Sequence, residues 1–118
     1  MTGTTSLTLV DLAKLRERFD DDEELLREIF RIFLAEVPAR RTNILAALAA
    51  GDLDRLSRMA HSLKGVAGTM FAEDLRHVAY DLEIAARNGD GAHSAHLGAE
   101  ALELLGRVAA ELTAYLEP

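Results

Sequence analysis

Four segments of this chain carry apolar residues at three- and four-residue spacing, the pattern of a helix that buries one face. The stripes start near Leu26, Leu53, Leu75 and Leu97. Alanine and leucine, two strong helix formers, contribute 20 residues each to the 118, whereas only 2 residues are proline. The pattern predicts an all-α fold, and the length suits a single domain.

Residues that end and start helices separate these segments. The first long helix is predicted to follow the acidic run 20–24, whose carboxylates suit a helix N-terminus, and to end at Gly51. Pro38 is expected to kink it. Asp52 is predicted to cap a second helix that reaches Met70, and two more helices are predicted at about 72–88 and about 92–116.

Short connections make neighbouring helices antiparallel, so the expected architecture is an antiparallel up-down-up-down four-helix bundle. A short N-terminal helix, capped by Thr8 or Asp11 and running through Phe19, is expected to cover one end. Residues 1–8 are rich in Thr, Ser and Gly and are predicted to be a flexible lead-in. The single helical domain is then expected at 9–118.

Composition excludes several classes of protein. The chain has no cysteine, which rules out disulfides, Cys-ligated metals and a thiol nucleophile and suits a reducing cytosol. The 13 basic and 20 acidic side chains give a net charge of -7, which argues against nucleic-acid binding. No uncharged run approaches the roughly 20 apolar residues of a membrane span. We expect a cytoplasmic monomer that does not associate with membranes.

The second long helix breaks the rules of a purely structural helix. It contains Gly65 and Gly68, each of which costs roughly 1 kcal/mol relative to alanine inside a helix. At 100° per residue, Gly65 lies about 40° and Gly68 about 20° from His61, away from the apolar stripe. The small Ser57 lies one turn earlier. The imidazole of His61 is therefore expected to project from a surface cleared of bulk, which another protein can approach closely.

Two cations flank this histidine. Arg58 and Lys64 lie three residues before and after His61, about 60° to either side, and form a basic island on an acidic protein. A neutral imidazole is a nucleophile near pH 7, and an ammonium stabilises the charge of a transferring phosphoryl group. The pattern thus favours phosphoryl transfer over an ordinary exposed histidine beside a lysine.

The segment from His61 to Gly68, HSLKGVAG, resembles the His-x-x-Lys-Gly motif of the histidine phosphotransfer (HPt) family. Similar patterns occur upstream at 23–30, in the turn at 47–52, and downstream at 82–90, so the resemblance covers roughly 11–116. It implies that His61 is the phosphoacceptor, that Lys64 contacts the phosphoryl oxygens, and that Gly65 keeps the site open. The implied partners are response-regulator receiver domains and a hybrid histidine kinase.

Glu83 lies on the next helix, directly after the predicted core residue Leu82. A carboxylate that accepts from the Nδ1–H of His61 would leave Nε2 free to attack and favour the cationic phosphoimidazole. In the chemotaxis-kinase members a matching glutamate has this orienting part, which the resemblance implies for Glu83. The alternative, a solvated glutamate paired with Arg87 at i+4, stays open.

Two residues depart from the family's pattern. Val66 occupies a position where Ser or Ala is usual, and Phe71 one where many members have glycine. Phe71 is expected to anchor in the core at the inter-helix turn, with an exposed docking contact as the alternative. The residues predicted to bind the partner are Ser57, Arg58, Gly65, Gly68 and Phe71.

The remaining signals are weaker. His93 and His96 are two possible ligands without a third, so we expect surface histidines and no metal site. His77 is expected to face solvent. Arg40 and Arg41 are predicted to be a solvated pair and not a phosphate site.

The leading hypothesis is a phosphorelay intermediate, in which His61 accepts a phosphoryl group from one receiver aspartate and passes it to another. The chain has no Walker-type glycine loop, so it is expected to be a phosphocarrier without autokinase activity and without a cofactor of its own. The magnesium is expected to come from the receiver. Two alternatives stay open: an HPt domain of a chemotaxis-type kinase, phosphorylated by a separate ATP-binding domain, and a docking module that is never phosphorylated. The sequence does not separate a free-standing protein from an excised domain.

Overall fold

The computed structural model describes residues 7–117 and consists there of five helices. Their bounds are α1 Leu12–Arg18, α2 Glu23–Ala50, α3 Leu53–Thr69, α4 Glu73–Arg87 and α5 Gly91–Leu116. Each of the four long helices packs against the next along the chain, and α5 returns to pack against α2. This closed ring is the antiparallel four-helix bundle that the spacing predicts, and α1 contacts α2 as the short additional helix.

The helix ends follow the local rules. Asp11, Asp22, Asp52 and Asp90 each accept a hydrogen bond from a backbone N–H in the first turn of α1, α2, α3 and α5. Gly51 ends α2 in the left-handed conformation, with φ at 65°. Pro38 lies inside α2, which continues as one helix to Ala50.

The core is made by the predicted stripes. The fully buried positions of α3 and α4 include Leu56, Leu63, Ala67, Leu75 and Leu82. Because the stripe of α3 is fixed on one side by these contacts, its opposite side faces solvent along the whole helix. That exposed side carries the motif histidine.

The described part of the chain before α1, residues 7–11, packs against the bundle. The Thr8 and Leu9 backbone N–H groups donate to the Glu111 carboxylate of α5, and Val10 is buried. Asp11 is the cap of α1, while the Thr8 hydroxyl donates to Glu111. Of the predicted flexible lead-in, residues 1–6 lie outside the described residues.

Among residues 7–117, no helix is at once long enough and apolar enough to span a bilayer.

Candidate functional site

His61 lies in the middle of α3 on the side turned away from the core. Its neighbours Ala60 and Leu63 are buried, whereas the His61 side chain is 68% exposed. The ring is therefore fixed to a rigid helix and still within reach of another protein.

One buried carboxylate on α4 joins the charged side chains beside His61. The Glu83 side chain is 3% exposed, and its Oε2 lies 2.8 Å from Nδ1 of His61. The other oxygen, Oε1, accepts from Lys64 Nζ at 2.8 Å, and Arg87 on the same helix donates to Oε2 at 2.5 Å. Glu83 thus ties α3 to α4 at the level of the histidine.

These contacts decide the protonation of the site. The hydrogen bond from Lys64, aided by that from His61, lowers the pKa of Glu83 although burial acts to raise it. An ionised carboxylate only accepts, so Nδ1 of His61 must carry the hydrogen. In the neutral ring the lone pair is then on Nε2, on the outward side. The alternative of a solvated Glu83 is wrong in its burial, although the predicted contact with Arg87 is present.

Both glycines of the motif leave space beside the histidine. A Cβ at Gly65 would meet nothing within 4 Å among the described residues, and one at Gly68 would lie 3.5 Å from Arg76 Cδ, an ordinary contact. Neither glycine is needed for close packing inside the bundle. The open surface next to the ring is their evident consequence.

The two cations predicted to form a basic island are both paired with carboxylates. Arg58 forms an ion pair with Asp54, one turn earlier on α3. Lys64 is bound to Glu83, and its Nζ lies 5.3 Å from the centre of the Tyr80 ring on α4. Both predicted cations therefore already have a carboxylate partner before any other protein arrives.

Phe71 lies in the turn between α3 and α4. It is half-buried and packs against the core, and its carbonyl accepts from the Asp11 backbone N–H at 3.1 Å. It also lines a shallow depression with Gly65 and Gly68, so its ring reaches the edge of the open surface. Its φ is 53°, a left-handed conformation that glycine adopts without strain. Ser57 is half-buried on the same side of α3 as His61.

On the other side of α3, α2 contributes a mixed surface. Ile29, Ile32 and Val66 line an apolar groove between α2 and α3, and Ile32 is 57% exposed. Nearby, Arg40 donates to the Ser62 hydroxyl at 3.1 Å and forms an ion pair with Glu36.

The prediction of a solvated Arg40–Arg41 pair is wrong for Arg40, whose side chain is 20% exposed, whereas Arg41 is exposed as predicted. Arg40 joins α2 to α3 through Ser62, and Arg41 donates to the Leu102 carbonyl of α5. Their side chains cross to neighbouring helices because the two residues lie near the seams of α2 with α3 and α5.

Two contributors to the site, Arg87 and Tyr80, are not predicted from the sequence. The sequence suggests Arg87 only as a surface partner of Glu83 and gives no role to Tyr80. Tyr80 precedes Glu83 by three residues and Arg87 follows it by four, so both lie on the face of α4 that carries Glu83. The spacing indicates that the three residues share a face of α4, but only the structure shows that this face lies against α3 beside His61.

The other histidines are not among the side chains that contact Glu83. His77, His93 and His96 are exposed on α4 and α5. Within residues 7–117, no group of three or more His, Cys, Asp or Glu side chains is arranged to hold a metal ion.

The chain is similar to known proteins in sequence and in fold. Residues 28–116 match the Hpt domain family model. The fold is similar to the crystal structure of histidine-containing phosphotransfer protein B (HptB) from Pseudomonas aeruginosa PAO1, with a TM-score of 0.79 and 28% identity. The match covers 92% of this chain and 95% of that one. No curated protein matches the sequence.

The family match extends over most of the bundle and includes α3, with its histidine, and α4, with Glu83. Members of the family are phosphocarriers and not enzymes, and they interact with receiver domains and kinases in phosphorelays. The chain therefore belongs to the Hpt domain family, the histidine phosphotransfer proteins of two-component signalling.

Proposed function

We propose that His61 accepts a phosphoryl group from the aspartyl phosphate of one receiver domain and passes it to the aspartate of another. The observation that carries this proposal is the 2.8 Å contact of Nδ1 with the buried Glu83, which leaves Nε2 of an exposed ring as the nucleophile. In the forward step the Nε2 lone pair forms a bond to phosphorus, and the bond from phosphorus to the aspartate oxygen breaks. The aspartate leaves as a carboxylate, and the second receiver reverses the step.

Glu83 and Lys64 act on different charges in this reaction. The phosphorylated imidazole keeps its Nδ1 hydrogen and is cationic, so the carboxylate at Nδ1 stabilises it. The phosphoryl group spreads negative charge over its oxygens, which the Lys64 ammonium offsets when it moves towards Nε2. Neither residue forms a covalent bond.

The magnesium used in such transfers is best supplied by the receiver. The carboxylate beside His61 is that of Glu83, and both of its oxygens already accept from cationic or ring N–H donors. A divalent cation there would have to displace Lys64 or Arg87. We therefore assign no cofactor to this chain.

The docking surface proposed for the receiver surrounds His61 on α3. Ser57, Arg58, Gly65, Gly68 and Phe71 lie along it, and the apolar groove formed with Ile29, Ile32 and Val66 borders it. An open, polar surface with an apolar groove at its border suits a modest, transient interface. Receivers and a hybrid histidine kinase are the proposed partners, met by a monomer in the cytoplasm.

The test is incubation with phosphorylated receiver domains, followed by assay of acid-labile, base-stable phosphate on the wild type and on His61→Gln. We expect label on the wild type and none on the variant, with both folded by circular dichroism. Absence of label from every receiver tried, including those encoded beside this protein, would contradict the phosphorelay proposal. Label that appears only with a separate ATP-binding kinase domain would identify a chemotaxis-type donor. A wild type that binds a receiver but takes up no phosphate, with a complex that also forms for His61→Ala, would indicate a docking module.

A further inference from the structure

In the proposed reaction Lys64 interacts with two negatively charged groups, the Glu83 carboxylate and the phosphoryl group. In the structure its Nζ is 2.8 Å from Oε1 of Glu83. In the proposed reaction the same ammonium is needed at the phosphoryl oxygens on Nε2, the opposite ring nitrogen from the one that Glu83 contacts. Movement towards the phosphoryl group therefore weakens or breaks its contact with the carboxylate.

Loss of the contact between Lys64 and Glu83 is energetically unfavourable if nothing replaces the lysine. The Glu83 side chain is 3% exposed, and a buried carboxylate without a compensating cation is strongly unfavourable. Before the bond from Nε2 to phosphorus forms, the histidine is neutral, and its Nδ1–H donates a hydrogen bond but supplies no charge. At that stage, without a further cation, Glu83 would hold Lys64 in place and keep it from the phosphoryl group.

Arg87 supplies that further cation. It lies one turn after Glu83 on α4 and donates to Oε2, so it leaves the Oε1 contact of Lys64 untouched. Its guanidinium is permanently charged, and its side chain is 62% exposed, so it is held by Glu83 without being buried itself.

We propose that Arg87 is a positioning residue that keeps Glu83 compensated while Lys64 moves to the phosphoryl group. This inference rests on the phosphotransfer function proposed above and deepens it. Arg87 acts through Glu83 and does not touch the reacting atoms. The movement is an exchange of ion pairs in which no covalent bond changes.

The first test is a double-mutant cycle on the rate of phosphoryl transfer from a phosphorylated receiver. We expect Lys64→Ala to slow transfer about tenfold, in line with the loss of one charge-assisted hydrogen bond, and Arg87→Gln about fivefold. Because Lys64 stays on Glu83 once Arg87 is lost, the double variant should be slowed about tenfold and not by the product of the two effects. Arg87→Lys should restore most of the rate.

The cycle needs two controls. Rates are compared at pH 8, with NMR titration used to verify that His61 is neutral in every variant. Arg107→Gln removes one exposed arginine from α5 and should transfer at the wild-type rate. Independent, multiplying effects of Lys64→Ala and Arg87→Gln would overturn the inference, as would a wild-type rate for Arg87→Gln.

The second test needs no phosphate. Hydrogen exchange at Lys64 Nζ, measured by NMR on the unphosphorylated protein, should be about threefold slower in Arg87→Gln, because Glu83 then holds the ammonium more tightly. Unchanged or faster exchange would overturn the inference. A wild type that takes no phosphate from any receiver contradicts the proposed function instead, and in that case the exchange measurement still decides how Arg87 and Lys64 share Glu83.

Discussion

Glu83 keeps its negative charge in a position from which solvent is almost absent. Its pKa is lowered by hydrogen bonds from Lys64 and His61 against the opposing effect of burial. The carboxylate therefore makes two kinds of contact at once: it accepts from Nδ1 of His61, and it binds the cations Lys64 and Arg87. Both effects depend on its charge and not on its volume.

Glu83→Gln removes that charge at nearly constant shape. Because the folded-state pKa is below the ordinary value of 4.5, the charge contributes stability above pH 4.5 that is lost as the pH falls through the lower folded-state pKa. We expect the variant to lose about 1–3 kcal/mol of unfolding free energy at pH 7 and less at pH 3. Urea denaturation at the two pH values measures this difference.

The same variant should weaken the preference of His61 for the Nδ1–H tautomer, since a neutral amide oxygen is a weaker acceptor than a carboxylate. NMR of the ring nitrogens measures the tautomer. Glu103→Gln, an exposed carboxylate of α5, is the matched control. A deficit in stability that is equal at both pH values, together with an unaltered His61 tautomer, would show that Glu83 does not act through its charge.

In α3, helix propensity conflicts with the residues found on the exposed side. Its apolar stripe is continuous and its buried positions are filled, yet two glycines occupy the exposed side. Glycine inside a helix lowers stability because the unfolded chain loses more backbone freedom on folding. Packing inside the bundle does not require Gly65, and the glycine lies on the docking surface proposed above, where it leaves room for a partner.

Gly65→Ala separates these two demands. The added methyl group meets open space, so we expect the unfolding free energy to rise by as much as about 1 kcal/mol. Transfer from a receiver should become slower, because the methyl group lies one turn from His61 on the approach side. Thermal unfolding and transfer kinetics measure the two effects.

Gly106→Ala is the matched control in α5, where the new Cβ would lie 3.7 Å from an Arg41 nitrogen. It should stabilise the helix without slowing transfer. Gly65→Ala transferring at the wild-type rate would remove the assigned role of clearance.

The bundle as a whole is closed at one end by the chain that precedes α1. Glu111 of α5 accepts from the backbone N–H groups of Thr8 and Leu9, and Arg16 of α1 donates to the Tyr115 hydroxyl of α5. These contacts join residues about a hundred positions apart in sequence, so they form only when the bundle is complete.

Glu111→Ala should therefore act on stability alone. The loss of its hydrogen bonds, which are partly exposed, is expected to lower the unfolding free energy by about 1 kcal/mol and to speed hydrogen exchange at Thr8 and Leu9. Phosphoryl transfer should stay unchanged, because the contacts of Glu111 are with Thr8 and Leu9 and not with His61 or Glu83. Glu100→Ala, exposed on the same helix, should alter neither property. Slower transfer by folded Glu111→Ala would indicate that the end of the bundle is coupled to the site.

Much of this protein follows from local rules. The apolar stripes, the aspartate caps and Gly51 specify where helices begin, end and bury a face, because these effects act within one turn. The motif histidine, its lysine and its glycines share one helix, so their relative directions also follow from 100° per residue. The fold class and the exposed position of His61 were predictable for this reason.

What the tertiary structure decided is how α3 and α4 face each other. The distance between these two helices determines that Glu83 is buried and has three donors. It also determines that Lys64 forms an ion pair with Glu83. The same holds for Arg40 and Ser62 across α2 and α3. The sequence by itself determined which residues share a face; only packing determined which faces meet, because burial and charge pairing are properties of two elements and not of one.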